Sequence, residues 1–322
     1  MIHKAVLLKE LTDCLEVRKG GIYVDLTLGA GGHSLKILEE LKEGTLIGFD
    51  LSFKAIDHFH KKLVKEGFEV ANETEKQIEL KKGSLKIILV NRNFTDLADV
   101  LSELNINSAN GIIADLGWSS DELTEIEGLS YDSNVDDYLD MRFDKSLAVT
   151  AADLLNALGR SELSKMFERY ADVYGKSNQN LVSNILTFRK KGAFNKVRDL
   201  KLVIDRSFKF KQSNRFQKNE VYKTYSRVFQ ALRIAVNSEL VNLEKLLESS
   251  LDLLVKNGSM GIITFHSGED KVIVSFLESK LSQNKVMVTS QNGEDLFIRP
   301  SVEEIKGNIR ARSAKLYIFK KL

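Results

Sequence analysis

The chain has 322 residues, 43% of them hydrophobic and 29% charged, with a formal net charge of +2. That length suits about two domains, and that balance excludes disorder throughout. The apolar runs fall far short of the ~20 residues of a membrane span, and residues 5–8 are too short and too closely flanked by charge for a secretory leader, so the cytoplasm is the expected compartment.

Residues 21–25 read as a short buried strand ending in a glycine-rich turn. Beyond it, Leu35, Leu38 and Leu41 recur at helical spacing. Residues 45–50 are a second predicted strand, ending in an acid, and residues 52–64 a second helix. Residues 67–83 are polar and irregular, suiting a hairpin or a loose loop. A third strand is expected over 86–90, a helix near 95–104 and a fourth strand over 111–116. Strand and helix alternate, which argues for a parallel sheet covered by helices.

The pattern then changes. Residues 117–145 are acidic and loop-like, and 150–210 read as successive short helices. Thr150 and Asp153 have the spacing of a capping box, and Ser161 and Asn195 are candidate N-caps. From 225 to 256 one long amphipathic helix is expected, with Leu232, Val236, Leu240, Leu243, Leu247, Leu251 and Leu254 on one stripe. A strand over 259–265, a helix over 269–281 and strands near 285–290 and 314–319 follow, the last two close enough to pair antiparallel. The expected architecture is an α/β, Rossmann-like domain over 1–127 and 217–322, with a helical domain over 128–216 inserted after its fourth strand.

Charge is unevenly placed. Residues 189–233 hold fourteen Lys/Arg and three Asp/Glu, whereas residues 121–144 hold nine acids and one base, Arg142. The basic stretch, counted with the residue that precedes it, is interleaved with Phe188, Phe194, Phe208, Phe210, Phe216, Tyr222, Tyr225 and Phe229. Cations with stacking rings suit RNA. A solvated helix face whose aromatics are core fits the same pattern. The acidic stretch suits a solvated loop facing those basic residues. One cysteine, Cys14, excludes an internal disulfide, and five histidines, with His58 and His60 on different faces of their helix, give little scope for metal; no metal site is expected.

The first turn reads Asp25-Leu-Thr-Leu-Gly29-Ala-Gly31-Gly32-His33-Ser34, and Asp50 ends the next strand, 21 residues after Gly29. Glycines between strand and helix let a ligand approach the backbone, and the acid suits both hydroxyls of a ribose. This pattern alone fits either a nicotinamide dinucleotide or S-adenosylmethionine. Asp25, placed to order the turn, and the antiparallel final strands favour S-adenosylmethionine. Phe94 follows the third strand, where a ring can cover an adenine or serve as core.

Seven blocks occur in order: residues 3–8 (HKAVLL), 25–34 (DLTLGAGGHS), 114–120 (ADLGWSS), 139–144 (LDMRFD), 229–240 (FQALRIAVNSEL), 263–270 (ITFHSGED) and 308–316 (NIRARSAKL). Together they resemble the bacterial 16S rRNA cytosine-N4 methyltransferases of the RsmH (MraW) type over nearly the whole chain. The resemblance implies S-adenosyl-L-methionine as cofactor, 16S rRNA or the small ribosomal subunit as partner, a cytidine of the decoding centre as target, and an inserted helical substrate-recognition domain. It places cofactor contacts on Gly31, Gly32, His33, Asp50, Phe94 and Asp115. It also places one on Glu122, where the family carries glutamine. The segment Val221-Tyr-Lys-Thr-Tyr-Ser-Arg227 departs from the family's His-Pro-Ala-Thr-Arg-Thr run, and a ribosome-binding relative with weak or lost activity is the alternative those departures raise.

Transfer to an exocyclic amine requires acceptors that align the amine with the methyl group and a site that excludes water. Asp115, at the end of the fourth strand, and His266, at the end of the fifth, are the candidate catalytic residues. Trp118 is placed to stack on an extruded base or to pack under the inserted domain. Glu269 and Asp270 open the next helix, where acids also complement the dipole. Arg310 and Arg312 are candidate phosphate contacts.

Overall fold

The computed structural model describes residues 5–117, 126–208, 215–289 and 295–322, with the backbone alone for 215–219. Trp118, Glu122, Lys209, Phe210 and Lys211 lie outside the described residues, as does the side chain of Phe216. The chain divides into two units: residues 1–117 with 241–322, and residues 118–240.

The first unit opens with α1 (Leu8–Asp13), β1 (Ile22–Asp25), α2 (Gly32–Leu41), β2 (Gly44–Phe49) and α3 (Phe53–Lys65). Ser52 caps α3, its Oγ accepting from the Ala55 amide at 3.3 Å. The polar stretch that follows is a hairpin, β3 (Glu69–Glu73) and β4 (Gln77–Lys82), which pairs antiparallel with β5 (Leu85–Val90). A 3-10 turn over Phe94–Asp96 runs into α4 (Leu97–Glu103) and then β6 (Ala109–Asp115).

The second unit is helical among its described residues: α5 (Ala151–Ala157), α6 (Arg160–Ala171), α7 (Gly175–Arg189), α8 (Val197–Phe208) and α9 (Arg215–Asn237). The Thr150 capping box is present, Thr150 Oγ1 accepting from the Asp153 amide at 3.1 Å. Ser161 is not a cap. The N-cap of α6 is Gly159, because Glu162 reaches back to the Gly159 amide at 2.7 Å. Phe194, Tyr225 and Phe229 are buried in this unit's core, and Phe188 and Phe208 pack against it. Most of the described aromatics in the basic stretch are therefore core, while Tyr222 is exposed. Tyr225, in the segment that departs from the family pattern, donates its hydroxyl to Asp205 Oδ1 at 2.5 Å.

The acidic loop does face basic residues of its own unit. Asp136 pairs with Arg198 at 2.6 Å and Lys196 at 3.7 Å, and Lys201 donates to the Tyr131 carbonyl at 3.1 Å. Asp140 binds Arg142 at 2.7 Å and Lys145 at 2.6 Å. Burial opposes ionisation of Asp140, yet these two cations and the Arg142 amide hold its carboxyl down at about 2.

The chain returns to the first unit through α10 (Glu239–Leu253), β7 (Leu254–Thr264), α11 (Ser267–Ser282), β8 (Val286–Thr289), β9 (Phe297–Ile298), α12 (Val302–Gly307) and β10 (Lys315–Lys321). The expected single helix over 225–256 is two helices. Ser238 takes the left-handed conformation (φ 52), which an α-helix cannot carry through. Its one apolar stripe serves two cores. Leu232 and Val236 belong to the second unit's, and Leu243, Leu247, Leu251 and Leu254 to the first unit's. This also moves the boundaries, expected at 127/128 and 216/217, to 117/118 and 240/241, since α9 buries Tyr225, Val228, Phe229 and Leu232 in the second unit.

The sheet order is β3-β4-β5-β2-β1-β6-β7-β10-β8, with β9 also paired to β10. β5, β2, β1, β6 and β7 run parallel, and β10 is antiparallel to β7 and β8. Alternate residues feed opposite faces: along β5, Ile88 and Val90 enter one core and Ile87 and Leu89 the other. Phe49 and Phe59 are fully buried, one on each face, each worth roughly 1.5–3 kcal/mol relative to exposure. From β1 the chain winds outward through β2 and β5, then crosses to β6 on the other side. The carboxyl ends of β1 and β6 therefore flank the crevice where such sheets bind ligands.

Candidate active site at the carboxyl edge of the sheet

Three carboxylates stand at the ends of β1, β2 and β6. Asp25, ending β1, is 1% exposed. Its Oδ2 accepts from Ser34 Oγ at 2.7 Å and its Oδ1 from the Thr27 amide at 3.1 Å. Burial pushes its carboxyl up to about 6 despite those two donors. The turn between is tight. Gly31 has φ 75, and a Cβ there would lie 2.1 Å from the Phe59 ring. Gly31 is also the N-cap of α2 and provides no side-chain cap, and a helix N-terminus of this kind suits an anionic group.

Asp50 follows β2 directly. Its Oδ2 accepts from the Gly29 amide at 2.8 Å and its Oδ1 from the Ser52 amide at 2.8 Å. The carboxylate expected to meet a ribose thus also braces the glycine turn. Asn91, which sequence reasoning passed over, donates to the carbonyls of Asp50 and Leu51 at 2.9 and 3.0 Å and ties the β2 end to the β5 end. Phe94 lies just beyond, partly buried against the core that contains Val24 and Ile47.

Asp115 ends β6. Its amide donates to Thr27 Oγ1 at 2.6 Å, and its Oδ1 accepts from the Gly117 amide at 3.2 Å. Burial pushes the Asp115 carboxyl up to about 6; His33 and the Gly117 amide oppose this, while Asp25 and Glu269 add to it. His33 is 6% exposed, with Nε2 3.1 Å from the Val6 carbonyl. A carbonyl only accepts, so the ring proton on that side sits on Nε2.

His266 is placed differently from its expected role. It is the N-cap of α11, and its Nδ1 accepts from the amides of Gly268 and Glu269 at 3.1 and 3.3 Å. Those two donors fix the neutral ring's proton on Nε2. Nε2 lies 3.1 Å from Glu269 Oε1, off the line of a hydrogen bond. Neither nitrogen then offers a lone pair to a leaving proton, and His266 acts by holding the end of β7 to the start of α11. Glu269 completes that joint, its Oε2 accepting from the Phe265 and His266 amides at 2.8 and 3.3 Å. Asp270 is spent on Thr264 at 2.7 Å, Lys315 at 2.5 Å and Tyr317 at 3.1 Å. Arg310 and Arg312 lie on the 3-10 segment Ile309–Ser313, where the Arg310 amide donates to Asn308 Oδ1 at 3.3 Å.

The MraW methylase family model matches residues 1–322. The chain belongs to the MraW methylase family. It is 38% identical over 319 residues to the ribosomal RNA small subunit methyltransferase H of Dictyoglomus thermophilum, covering 98% of this chain and 96% of that protein. It is 35% identical over 325 residues to the protein of the same name from Mycoplasmopsis agalactiae, covering 99% and 98%. Among solved structures, it is similar to a putative methyltransferase from Streptococcus mutans in complex with SAH, with 12% identity, full coverage of both chains and a TM-score of 0.43. No helix of the described residues is long and apolar enough to cross a membrane.

The donor set fits S-adenosylmethionine. A sulfonium and an ammonium are cations, and Asp25, Asp50 and Asp115 supply acceptors at one sheet edge; the α2 amides suit the cofactor's carboxylate. Gly31, Gly32, His33, Asp50, Phe94 and Asp115 are the candidates that would hold it.

Proposed function

We propose that this protein is an S-adenosylmethionine-dependent methyltransferase that methylates N4 of a cytidine in the decoding centre of 16S rRNA. Bound S-adenosylmethionine would supply an electrophilic methyl group to that amine. Gly31, Gly32 and the α2 amides bind the cofactor's amino-acid end, and Asp50 accepts from its ribose. Phe94 covers its base. Asp115 accepts a hydrogen bond from the cytosine amine, orienting its nitrogen, and takes up the proton that transfer releases; a carboxyl near 6 suits both states at neutral pH. His266 and Glu269 hold the neighbouring strand end rigid. The second unit recognises the RNA, and Glu122 makes a further cofactor contact.

The observation that carries this reading is the group of carboxylates at the ends of β1, β2 and β6, in a chain of the MraW methylase family. Mass spectrometry of nucleosides from small-subunit rRNA, incubated with protein and cofactor, tests it. N4-methylcytidine at one site is the expected product. Its absence, with cofactor bound, would leave an RNA-binding relative without transfer.

A further inference from the structure

In a parallel sheet, successive backbone amides of a strand point to opposite neighbours. At the end of β6 the Leu116 amide turns to β7 and donates to the Ile263 carbonyl at 3.0 Å. The Asp115 amide therefore faces the β1 side. There the ladder has run out. The last registered pair of β1 and β6 is Asp25 with Ile113, and the last backbone bond runs from the Leu26 amide to the Ile113 carbonyl at 2.9 Å. Beyond it β1 bends away into the glycine turn. The missing rung is made by a side chain, Thr27 Oγ1, which accepts from the Asp115 amide at 2.6 Å across 88 residues of sequence.

Thr27 is itself held. Its amide donates to Asp25 Oδ1, and the other oxygen of that carboxylate holds Ser34, in the first turn of α2. The connection runs from α2 through Asp25 and Thr27 to the main chain of Asp115, so the wall that receives the cofactor and the residue facing the amine form one hydrogen-bonded piece. A threonine suits this position because it offers a hydroxyl acceptor on a β-branched side chain with a restricted rotamer.

We infer that Thr27 is a positioning residue for methyl transfer, its hydroxyl fixing Asp115 against the cofactor turn at the point where β1 and β6 part. The inference rests on the assignment of Asp115 to the reacting centre. Thr27 touches neither methyl donor nor amine; it acts through Asp115.

Two variants test it. Thr27→Val keeps the branched shape and removes the acceptor, while Thr27→Ser keeps the acceptor and removes a methyl group. In single-turnover transfer at saturating S-adenosylmethionine and rRNA, Thr27→Val should be slowed about tenfold or more, since misplacing a reacting group by about 1 Å costs up to roughly a hundredfold. Its dissociation constant for S-adenosylmethionine, measured by calorimetry, should stay within about threefold, because hydrogen-bond partners of the ligand are unchanged. Thr27→Ser should recover most of the rate, which also controls for folding. A normal rate in Thr27→Val overturns the inference. So does equal slowing in both variants, which would make the methyl group's packing the cause, or a loss of affinity as large as the loss of rate. Asp115→Asn run in parallel separates the two assignments. An inactive Asp115 variant beside a normal Thr27→Val overturns this inference alone, whereas normal rates in both overturn the role of Asp115 and this inference with it.

Discussion

Asp115 and Asp140 are the same residue type in the two units, and their surroundings treat them oppositely. At the sheet edge, burial pushes Asp115 up to about 6, and its acidic neighbours Asp25 and Glu269 push the same way. In the helical unit, Asp140 is also drawn out of water, but Arg142 and Lys145 close on it and hold it near 2. The second arrangement is complete as it stands: charge, counter-charge and a backbone amide satisfy one another. In the first, His33 and the Gly117 amide offset burial only in part, and the Asp115 carboxyl stays raised. A folded protein keeps such an imbalance at a cost, and a cationic ligand relieves it. The difference therefore separates a carboxylate that builds the fold from one that awaits a partner.

Exchanging the two residues for alanine is the strongest way to break that comparison. Asp115→Ala should leave the protein folded and reduce single-turnover transfer at saturating cofactor about a hundredfold or more, on the order of other groups that face developing charge. Asp140→Ala should do the reverse. It removes the carboxylate partner of Arg142, which keeps only the Lys145 and Leu147 carbonyls among its described acceptors, and should lower the melting temperature. Thermal melts and rate measurements on both variants decide it; equal melting losses would show that the charge imbalance at Asp115 has no functional meaning.

A smaller effect belongs to Asp50, which lies between the two types because its oxygens already hold the Gly29 and Ser52 amides. Asp50→Ala removes a charge-assisted acceptor worth about 1.5–3 kcal/mol, so S-adenosylmethionine affinity should fall roughly tenfold to a hundredfold. An unchanged dissociation constant in a folded variant would reduce Asp50 to a turn brace.

The same contrast sets opposite pH limbs. Asp25 and Asp115 rise from 3.8 to about 6 on folding, so the folded state binds more protons than the unfolded one between these values. Their contribution to stability is full below 3.8 and is lost as pH rises through 6. Asp140 falls from 3.8 to about 2, so its contribution is full above 3.8 and lost as pH falls through 2. Asp25→Asn should flatten the dependence of melting temperature between about pH 4 and 6, and Asp140→Asn that between about pH 4 and 2. If each variant flattened the other's limb, the assignment of the two environments would be wrong. Transfer should rise with pH through about 6, as Asp115 ionises.

Much of this was legible in the amino-acid order, and the reasons for the rest are physical. Short apolar runs alternating with helical spacing placed the parallel strands, because a strand covered by helices on both faces is apolar throughout. The glycine turn and Asp50 marked the carboxyl edge of the sheet, because only certain residues tolerate that backbone. The break at Ser238 was hidden, since the leucine stripe runs on past it and periodicity does not show which core each leucine enters. Thr27 was hidden because its partner is 88 residues away. His266 was correctly placed at a strand end, but its role turned on which nitrogen the helix amides engage, and that depends on a rotamer. The aromatics of the basic segment left two readings open for a related reason: spacing suits both a stacking surface and a core, and Phe194, Tyr225 and Phe229 proved to be core.

That last point leaves the surface cations as the test of RNA recognition by the second unit, and with the smallest expected effect. Lys190, at the end of α7, and Lys191 beside it are exposed. They differ from Lys196 and Arg198, which the acidic loop already occupies through Asp136. If the exposed pair meets RNA phosphate, Lys190→Glu with Lys191→Glu should weaken binding of an rRNA fragment. The slope of log affinity against log salt should fall by about 0.7–0.9 for each phosphate that the protein no longer neutralises. S-adenosylmethionine affinity should not change, because Gly31, Gly32, His33, Asp50, Phe94 and Asp115 belong to the other unit and Glu122 is left unaltered. Stability should move by no more than about 0.5 kcal/mol, as is usual for surface substitutions. Fluorescence anisotropy across a salt series reads both affinity and slope. A double variant with an unaltered slope would mean that these lysines, like Lys196 and Arg198, serve the unit's own charge balance, and would leave the pairing of acidic loop and basic helices as the whole account of this unit's charge.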